Sequence, residues 1–385
     1  MKSGILLDLV LAKRLPIASG IYSYLSFNLL TFTNTSPRYV INPVTGSVTG
    51  PFGSGVPAIV TVNGKRCLSV WRSLTNLEPD GTTLATWGEA GVLSTVAGGS
   101  PISTDCIRMT TTDPATSTGS QRFRTFAGRP SAERIAVSFF CKLGTAGSVV
   151  SYYKAGSPNY QNISPTAVWN RYTTSRNISG TTIYEGVYNA ANFNYLLGAA
   201  GDNFLYWCCQ VEENSYYAGR PIHTFGTTIT TNKDKAHYPA AIVPTDLRDS
   251  CGGDIYPGYS SAELATCAAH TKKYIARFCD SGANSVGFYL YSDDLKLHVE
   301  VDGTDIAATD ALTWSAHQRC RWEWRRISGT LIASLFTAGN GTVSGTPPAR
   351  SDGHLILGAY DTGDLATMNQ QFDGAICELE ICSPF

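Results

Sequence analysis

The sequence is short of charge, of methionine and of long apolar runs. Only 15% of the 385 residues are charged, the formal net charge is −1 and there are 3 Met. Proteins that bind nucleic acid carry a basic patch to meet phosphate, and this chain offers no such excess. The same shortage argues against attraction to an anionic membrane surface. No window approaches the roughly 18–20 apolar residues of a membrane-spanning helix, so no membrane insertion is expected. No Cys-x-x-Cys pair occurs and no Cys/His set has zinc spacing, so no cofactor or metal is expected. No repeat of fixed short period is visible. Met1 to Ala12 is apolar, but Asp8 interrupts the run and Lys13-Arg14 follow at once, a poor fit to a secretory leader.

What is present suits strands and turns. There are 20 Tyr and 37 Gly, beside abundant Thr and Ser, residues that favour pleated surfaces and tight turns. The length fits two or three domains. Residues 1–25 read as a docking segment, an apolar terminus that needs burial, in which Pro16 and Gly20 stop any helix early. Residues 26–80 read as an extended region with a hairpin: Ala58-Ile59-Val60-Thr61-Val62 runs into Asn63-Gly64, and Cys67 to Trp71 returns. Residues 81–235 carry further strands, including Arg134 to Cys141, Ser148 to Tyr153 and Asn203 to Val211. Residues 236–385 form a second unit. Its one helix is predicted over Ser260 to Lys273 with Ser261 as N-cap, and a second hairpin closes at Asp302-Gly303. The fold class that follows is all-β, with consecutive β-sandwich domains behind a short N-terminal segment.

The 11 cysteines are an odd number, which leaves at least one thiol unpaired. Most lie in apolar, strand-like runs and read as buried reduced thiols acting as small hydrophobes, in keeping with assembly in a reducing cytoplasm. Cys208 and Cys209 are adjacent, so a regular strand points them to opposite faces. Cys141, Cys320 and Cys377 sit among apolar neighbours. A disulfide stays open mainly for Cys251 with Cys267.

Three stretches resemble bacteriophage fibre and minor structural proteins. Ser36-Pro37-Arg38-Tyr39-Val40 through Arg72-Ser73-Leu74-Thr75-Asn76-Leu77 is similar to an extended strand, Gly-rich turn and return strand found there. Ala136 to Lys142, Trp169-Asn170-Arg171-Tyr172, and Leu205-Tyr206-Trp207 with Gln210-Val211-Glu212-Glu213 resemble a jelly roll like that of carbohydrate-binding modules. Ser215-Tyr216-Tyr217 and Arg220-Pro221-Ile222 match the exit from that domain. His354 to Gly358 followed by Phe372-Asp373-Gly374-Ala375-Ile376 looks like a concanavalin-like, laminin-G-type sandwich. The resemblance implies a virion protein, assembled in the host cytoplasm: a tail or head fibre, spike or decoration subunit. It also implies a homotrimer. Residues 1–25 share in no resemblance, but as an apolar, Pro-broken terminus they are expected to hold other virion proteins.

Aromatic rings on such sandwiches stack on sugars. Tyr152, Tyr153, Tyr216, Tyr217, Trp322 and Trp324 are the candidates for binding host-surface glycans. Trp169 and Trp207 take core places by the resemblance. Asp373, Glu378 and Glu380 raise the question of catalysis, but their spacing reads as a closing strand with solvated acids. Asp293-Asp294 and Asp302 with Asp305 read as turn residues rather than calcium ligands. The six histidines sit in no nucleophile motif. The expectation is therefore a binding protein rather than an enzyme, with no catalytic residue. The rivals are a polysaccharide-degrading tail protein and a secreted carbohydrate-binding module protein.

Overall fold

The computed structural model describes residues 15–17, 20–79, 92–110, 121–126, 133–144, 151–154, 160–163, 165–177, 183–189, 201, 203–224, 226–243, 250–279, 285–325, 330–335, 340–344, 353–361 and 368–382. The architecture is all-β, with antiparallel pairing throughout the described ladders. It divides into two compact units. One comprises residues 1–35, 54–72 and 233–385, the other residues 36–53 and 73–232. The stretch 26–80, read from sequence as one region, is thus shared between the units, and the second unit interrupts the chain of the first.

The first unit is a sandwich of two sheets. Its ten-stranded sheet runs Leu15–Ile17, Gly20–Tyr24, Glu380–Cys382, Ser250–Pro257, Cys320–Arg325, Thr330–Leu335 and Asn340–Ser344. Gly374–Cys377 joins Ser250–Pro257 to Lys65–Val70, which pairs with Ile59–Val62. Its seven-stranded sheet runs Thr304–Ala308, Leu297–Val301, Ser285–Tyr291, Lys272–Cys279, His354–Leu357, Lys235–Tyr238 and Thr31–Thr33. The two hairpin dipeptides do what their chemistry requires. Asn63 and Gly64 have φ of 49° and 77°, Asp302 and Gly303 of 52° and 77°. Two-residue turns with positive φ at both positions match the twist of the flanking strands.

Between the sheets lies an aromatic core. Trp322 and Trp324 alternate with Arg321 and Glu323, so one pair of the four must face inward. The indoles do: the Phe288 ring centroid stands 4.8 Å from that of Trp322 and 5.8 Å from that of Trp324. Both tryptophans are 1% exposed, which corrects their assignment as glycan-stacking rings. A ring in the core cannot meet a ligand.

Among the described residues the one α-helix is Ser261–Ala265, capped by Ser260 rather than Ser261. Ser260 and Glu263 form a capping box, each side chain meeting the other residue's backbone N–H. The helix is far shorter than the span Ser260 to Lys273. Thr266 Oγ1 donates to the Glu263 carbonyl, His270 adopts a φ of 64°, and the β-forming run from Lys272 begins the next strand.

Residues 1–14, much of the expected docking segment, lie outside the described residues. Gly20–Tyr24 pairs with the chain's own Glu380–Cys382, so this part is tied to its own unit. Among the described residues there is one disulfide, Cys67–Cys377, between residues that face each other across neighbouring strands. This corrects the reading of Cys377 as a reduced thiol. Its partner lies 310 positions away, a pairing that no local spacing reveals. Cys106, Cys141, Cys208, Cys209, Cys251, Cys279 and Cys320 are buried thiols outside this bridge, and Cys267 is a partly exposed one.

The second unit contains a seven-stranded sheet, Asn170–Asn177, Arg134–Leu143, Asn203–Glu213, Cys106–Thr110 and Val92–Val96, extended by Leu74–Asn76 and Ile229–Thr231. A four-stranded sheet is formed by Gln121–Phe126, Ile183–Asn189, Ser151–Lys154 and Tyr160–Ile163. Arg38–Ile41 and Val48–Phe52 form a hairpin that brings Val48, Tyr39 and Ile41 onto the Trp207, Phe140 and Cys106 cluster. The strand Asn203–Glu213 is not regular. Its register shifts opposite Phe139, and Cys208 takes a φ of 54°. A bulge of this kind breaks the simple alternation expected of Cys208 and Cys209. Burial pushes the Cys208 thiol up to about 12, which keeps it unreactive.

The motifs that resemble a jelly roll assemble into a buried polar knot. Glu212 accepts from Gln210 Nε2 at 2.6 Å, Ser215 Oγ at 3.1 Å and the Gly219 N–H at 2.7 Å. Gln210 Oε1 accepts from the Ile222 N–H, and Arg171 donates to the Gly219 carbonyl and Ser138 Oγ. Hydrogen-bonded buried polar groups of this kind favour one arrangement of the chain. They hold the exit loop 214–222 and make no site.

His223 belongs to the same unit and sits against the Trp207 and Tyr39 rings at 5.2 and 5.8 Å. Burial lowers its imidazole to about 4. An unfolded chain takes up this proton near pH 6.5, whereas the folded unit does not until about pH 4. Stability is therefore full above pH 6.5, falls between 6.5 and 4, and the loss levels off below. We expect about 2 kcal/mol of acid destabilisation from this residue. Urea unfolding at pH 7 and pH 4.5, with and without His223→Gln, checks it. The pH dependence should shrink in the variant.

Candidate functional site

In the first unit, the helix Ser261–Ala265 and its following loop face the hairpin turn between Ser285–Tyr291 and Leu297–Val301. A cavity of about 390 Å³ opens there, lined by Ala265, Cys267, Ala269, Ser292, Asp293, Asp294 and Leu295. Local hydrogen bonds fix both walls. The Thr271 N–H donates to Ser292 Oγ and the Ser292 N–H to the Thr271 carbonyl, each at 3.0 Å. The His270 N–H donates to Asp293 Oδ1 at 2.7 Å. Leu295 has a φ of 58°, and its N–H closes the turn onto the Tyr291 carbonyl. The Lys296 N–H caps Asp294 Oδ1 at 3.1 Å.

Beside this cavity stands Tyr291, half-buried at the end of its strand. The His270 ring lies near-parallel to it, 6.3 Å away at 23°, and His298 meets it edge-on at 5.2 Å. Tyr291 Oη is 2.8 Å from His270 Nδ1. His270 Nδ1 is 2.7 Å from Asp293 Oδ2, and His298 Nε2 is 3.0 Å from Asp294 Oδ2. Behind His298, Tyr289 stacks on its ring at 5.2 Å and donates to Asp305. Lys272 Nζ lies 4.3 Å over the Tyr289 ring and pairs with Glu300 at 2.9 Å. Burial, then the hydrogen bond to Asp293 and the charges of three aspartates, raise the Tyr291 phenol. The His270 N–H, foremost, lowers Asp293. The result is a carboxylate-lined cavity beside a braced phenol ring.

The residues singled out from sequence fare unevenly. Tyr152 and Tyr153 lie on Ser151–Lys154, where Tyr152 is opposite Tyr188; their side chains lie outside the described part. Tyr216 is half-buried under the Arg134 guanidinium, 5.3 Å from its ring centre. Tyr217 is 2% exposed, its carbonyl held by Ser215 Oγ, and is core rather than a stacking ring. Sequence reasoning passed over Tyr291, His270 and His298. A usable signal was present: Tyr289-Leu290-Tyr291 alternates into an Asp-Asp turn. Asp302 Oδ1 caps the Ser285 N–H at 2.7 Å, a turn role. Among the described residues, no three His, Cys, Asp or Glu side chains converge as a metal site.

The acids that raised the question of catalysis are each held by cations. Asp373, 0% exposed, pairs with Arg72 and Lys273 at 2.8 Å each. Glu380 pairs with Lys65 at 2.7 Å and with Arg321, and Asp254 with Lys65 and Arg319 at 2.8 Å each. Burial works to raise the Asp254 and Glu380 carboxyls, but their cationic partners outweigh it and hold both below the usual range. Glu378, beside Arg66 at 3.3 Å, is raised by burial.

No protein-family model matches the chain, and no curated protein matches it. Solved structures do. The likenesses are to carbohydrate-binding and laminin G modules. The CBM22-1 xylan-binding domain of Xyn10C from Paenibacillus barcinonensis is 13% identical, with 37% of this chain and 94% of that one covered and a TM-score of 0.27. The tandem CBM22-1–CBM22-2 of the same protein is 10% identical over 82% of this chain and 100% of that one, at 0.25. Domains LG4-5 of the mouse laminin α1 chain are 9% identical over 76% and 92%, at 0.25. At such scores they carry no weight for function, and the sandwich architecture rests on the strand pairing itself.

Proposed function

We propose that the chain is a glycan-binding, non-catalytic adhesion protein whose sugar site is the lip around Tyr291. The observation that carries this reading is the braced Tyr291 ring beside a cavity walled by Asp293 and Asp294. An aromatic face meets the C–H side of a pyranose, and carboxylates accept its hydroxyls. A rigid wall lowers the ordering cost of binding. The non-catalytic part is supported by Asp254 and Glu380, whose cationic partners hold them below the usual range, whereas hydrolysis needs one carboxyl kept protonated as a donor. Isothermal titration against a panel of oligosaccharides tests the reading. Tyr291→Ala should weaken any glycan that binds by about tenfold, the worth of one aromatic contact, without changing the circular dichroism spectrum. Unchanged affinity in that variant contradicts it.

We further propose that the protein acts on a bacteriophage particle, as a homotrimer held by residues near its N-terminus. The support is the resemblance of the strand motifs to phage fibre proteins. Deleting residues 1–12, which leaves the hairpin at 15–24 in place, should give a folded trimer that no longer joins the particle. Normal incorporation of the truncated chain rejects the anchoring role.

A further inference from the structure

His237 and His354 stand on neighbouring strands of the seven-stranded sheet, Lys235–Tyr238 and His354–Leu357. His237 is opposite Ile356, so His354, two residues along from Ile356, is its diagonal neighbour on the same face. The ring centroids are 5.6 Å apart and the planes cross at 73°. Both residues are partly exposed. His354 Nδ1 is buried and makes no hydrogen bond. On the same face, Ile356, opposite His237, and Cys279, opposite His354, pack with Ala359 and Met368, so the histidines border an apolar patch.

We propose that His237 and His354 form a two-imidazole site for a borderline-soft divalent ion of the Zn²⁺ and Ni²⁺ class, with water in the remaining positions. Two imidazoles bound to one tetrahedral ion at about 2.0–2.1 Å bring their ring centres to roughly 5 Å, close to the spacing already present. The strands are fixed by pairing on both sides, so the site needs little more than ring rotation. Imidazole suits these metals, and two adjacent rings select them over hard cations such as calcium. A closed structural zinc site has four protein ligands. With two, the affinity belongs in the micromolar range and the ion keeps open positions for an outside ligand. This site is separate from the Tyr291 lip, so either can fail alone.

The test is titration of the full chain, stripped with chelator, with NiCl₂ at neutral pH. The expected result is one saturable site per chain with micromolar affinity and a raised melting temperature. His237→Asn and His354→Gln should each weaken binding at least tenfold, whereas His317→Asn leaves it unchanged. Paramagnetic broadening by Ni²⁺ in the wild-type chain needs no variant, and it should fall first on the His237 and His354 signals. Absence of saturable binding, binding that survives the double variant, or broadening centred elsewhere overturns the proposal.

Discussion

Asp373→Asn is expected to cost about 3–5 kcal/mol of stability, the range for removing one partner of a buried ion pair. Asp373 is 0% exposed, accepts from the Arg72 N–H at 2.7 Å and holds both Arg72 and Lys273. Asparagine keeps the shape and tolerates the φ of 57° at this position, so the change isolates the charge. Two cations would then face each other across a site that has lost its anion. A shift of the urea midpoint at constant slope measures the effect. The sign also decides between roles. A carboxylate held for catalysis usually costs stability, and replacing it is neutral or stabilising. A large loss marks Asp373 as a structural node that joins the strand ending at Val70 to the closing strand from Gly374.

The second large effect belongs to the disulfide. Replacing Cys67 and Cys377 together with serine should cost about 3–5 kcal/mol, the range for a native cross-link closing a long loop. The bridge spans 310 positions and ties Lys65–Val70 to Gly374–Cys377, strands on either side of the inserted second unit in the chain. The loss should fall on the first unit, so the Trp322 and Trp324 signals should melt early while Trp207 in the second unit does not follow. Equal melting with and without reductant in the wild-type chain would mean that the bridge contributes nothing.

How much of this was legible in the sequence depends on the range of the cause. The hairpins at Asn63-Gly64 and Asp302-Gly303 were legible, because their positive-φ pairs are a local demand. The strand Cys320–Arg325 was legible too, but its face was misjudged. Arg321 and Glu323 had first claim on the outer face, and the alternation already placed both tryptophans inside. The helix was overextended because Ser260 to Lys273 lacks proline, while Thr266, His270 and the β-forming residues after Lys272 outweigh helix propensity. The Cys67–Cys377 bridge and the Tyr291 lip depend on register between distant strands. His270 and His298 reach Tyr291 because Lys272 pairs with Tyr291 and Tyr289 with His298. Nothing in the spacing of those histidines announces it.

That a glycan sits at this lip is checked most directly by mapping where it binds. Amide hydrogen exchange with and without the tightest oligosaccharide of the panel gives the answer residue by residue. Slowed exchange should appear at residues 265–271 and 289–298, and Tyr291→Ala should abolish it. Slowed exchange confined to Ser151–Lys154, the strand that carries Tyr152 and Tyr153, would contradict this assignment.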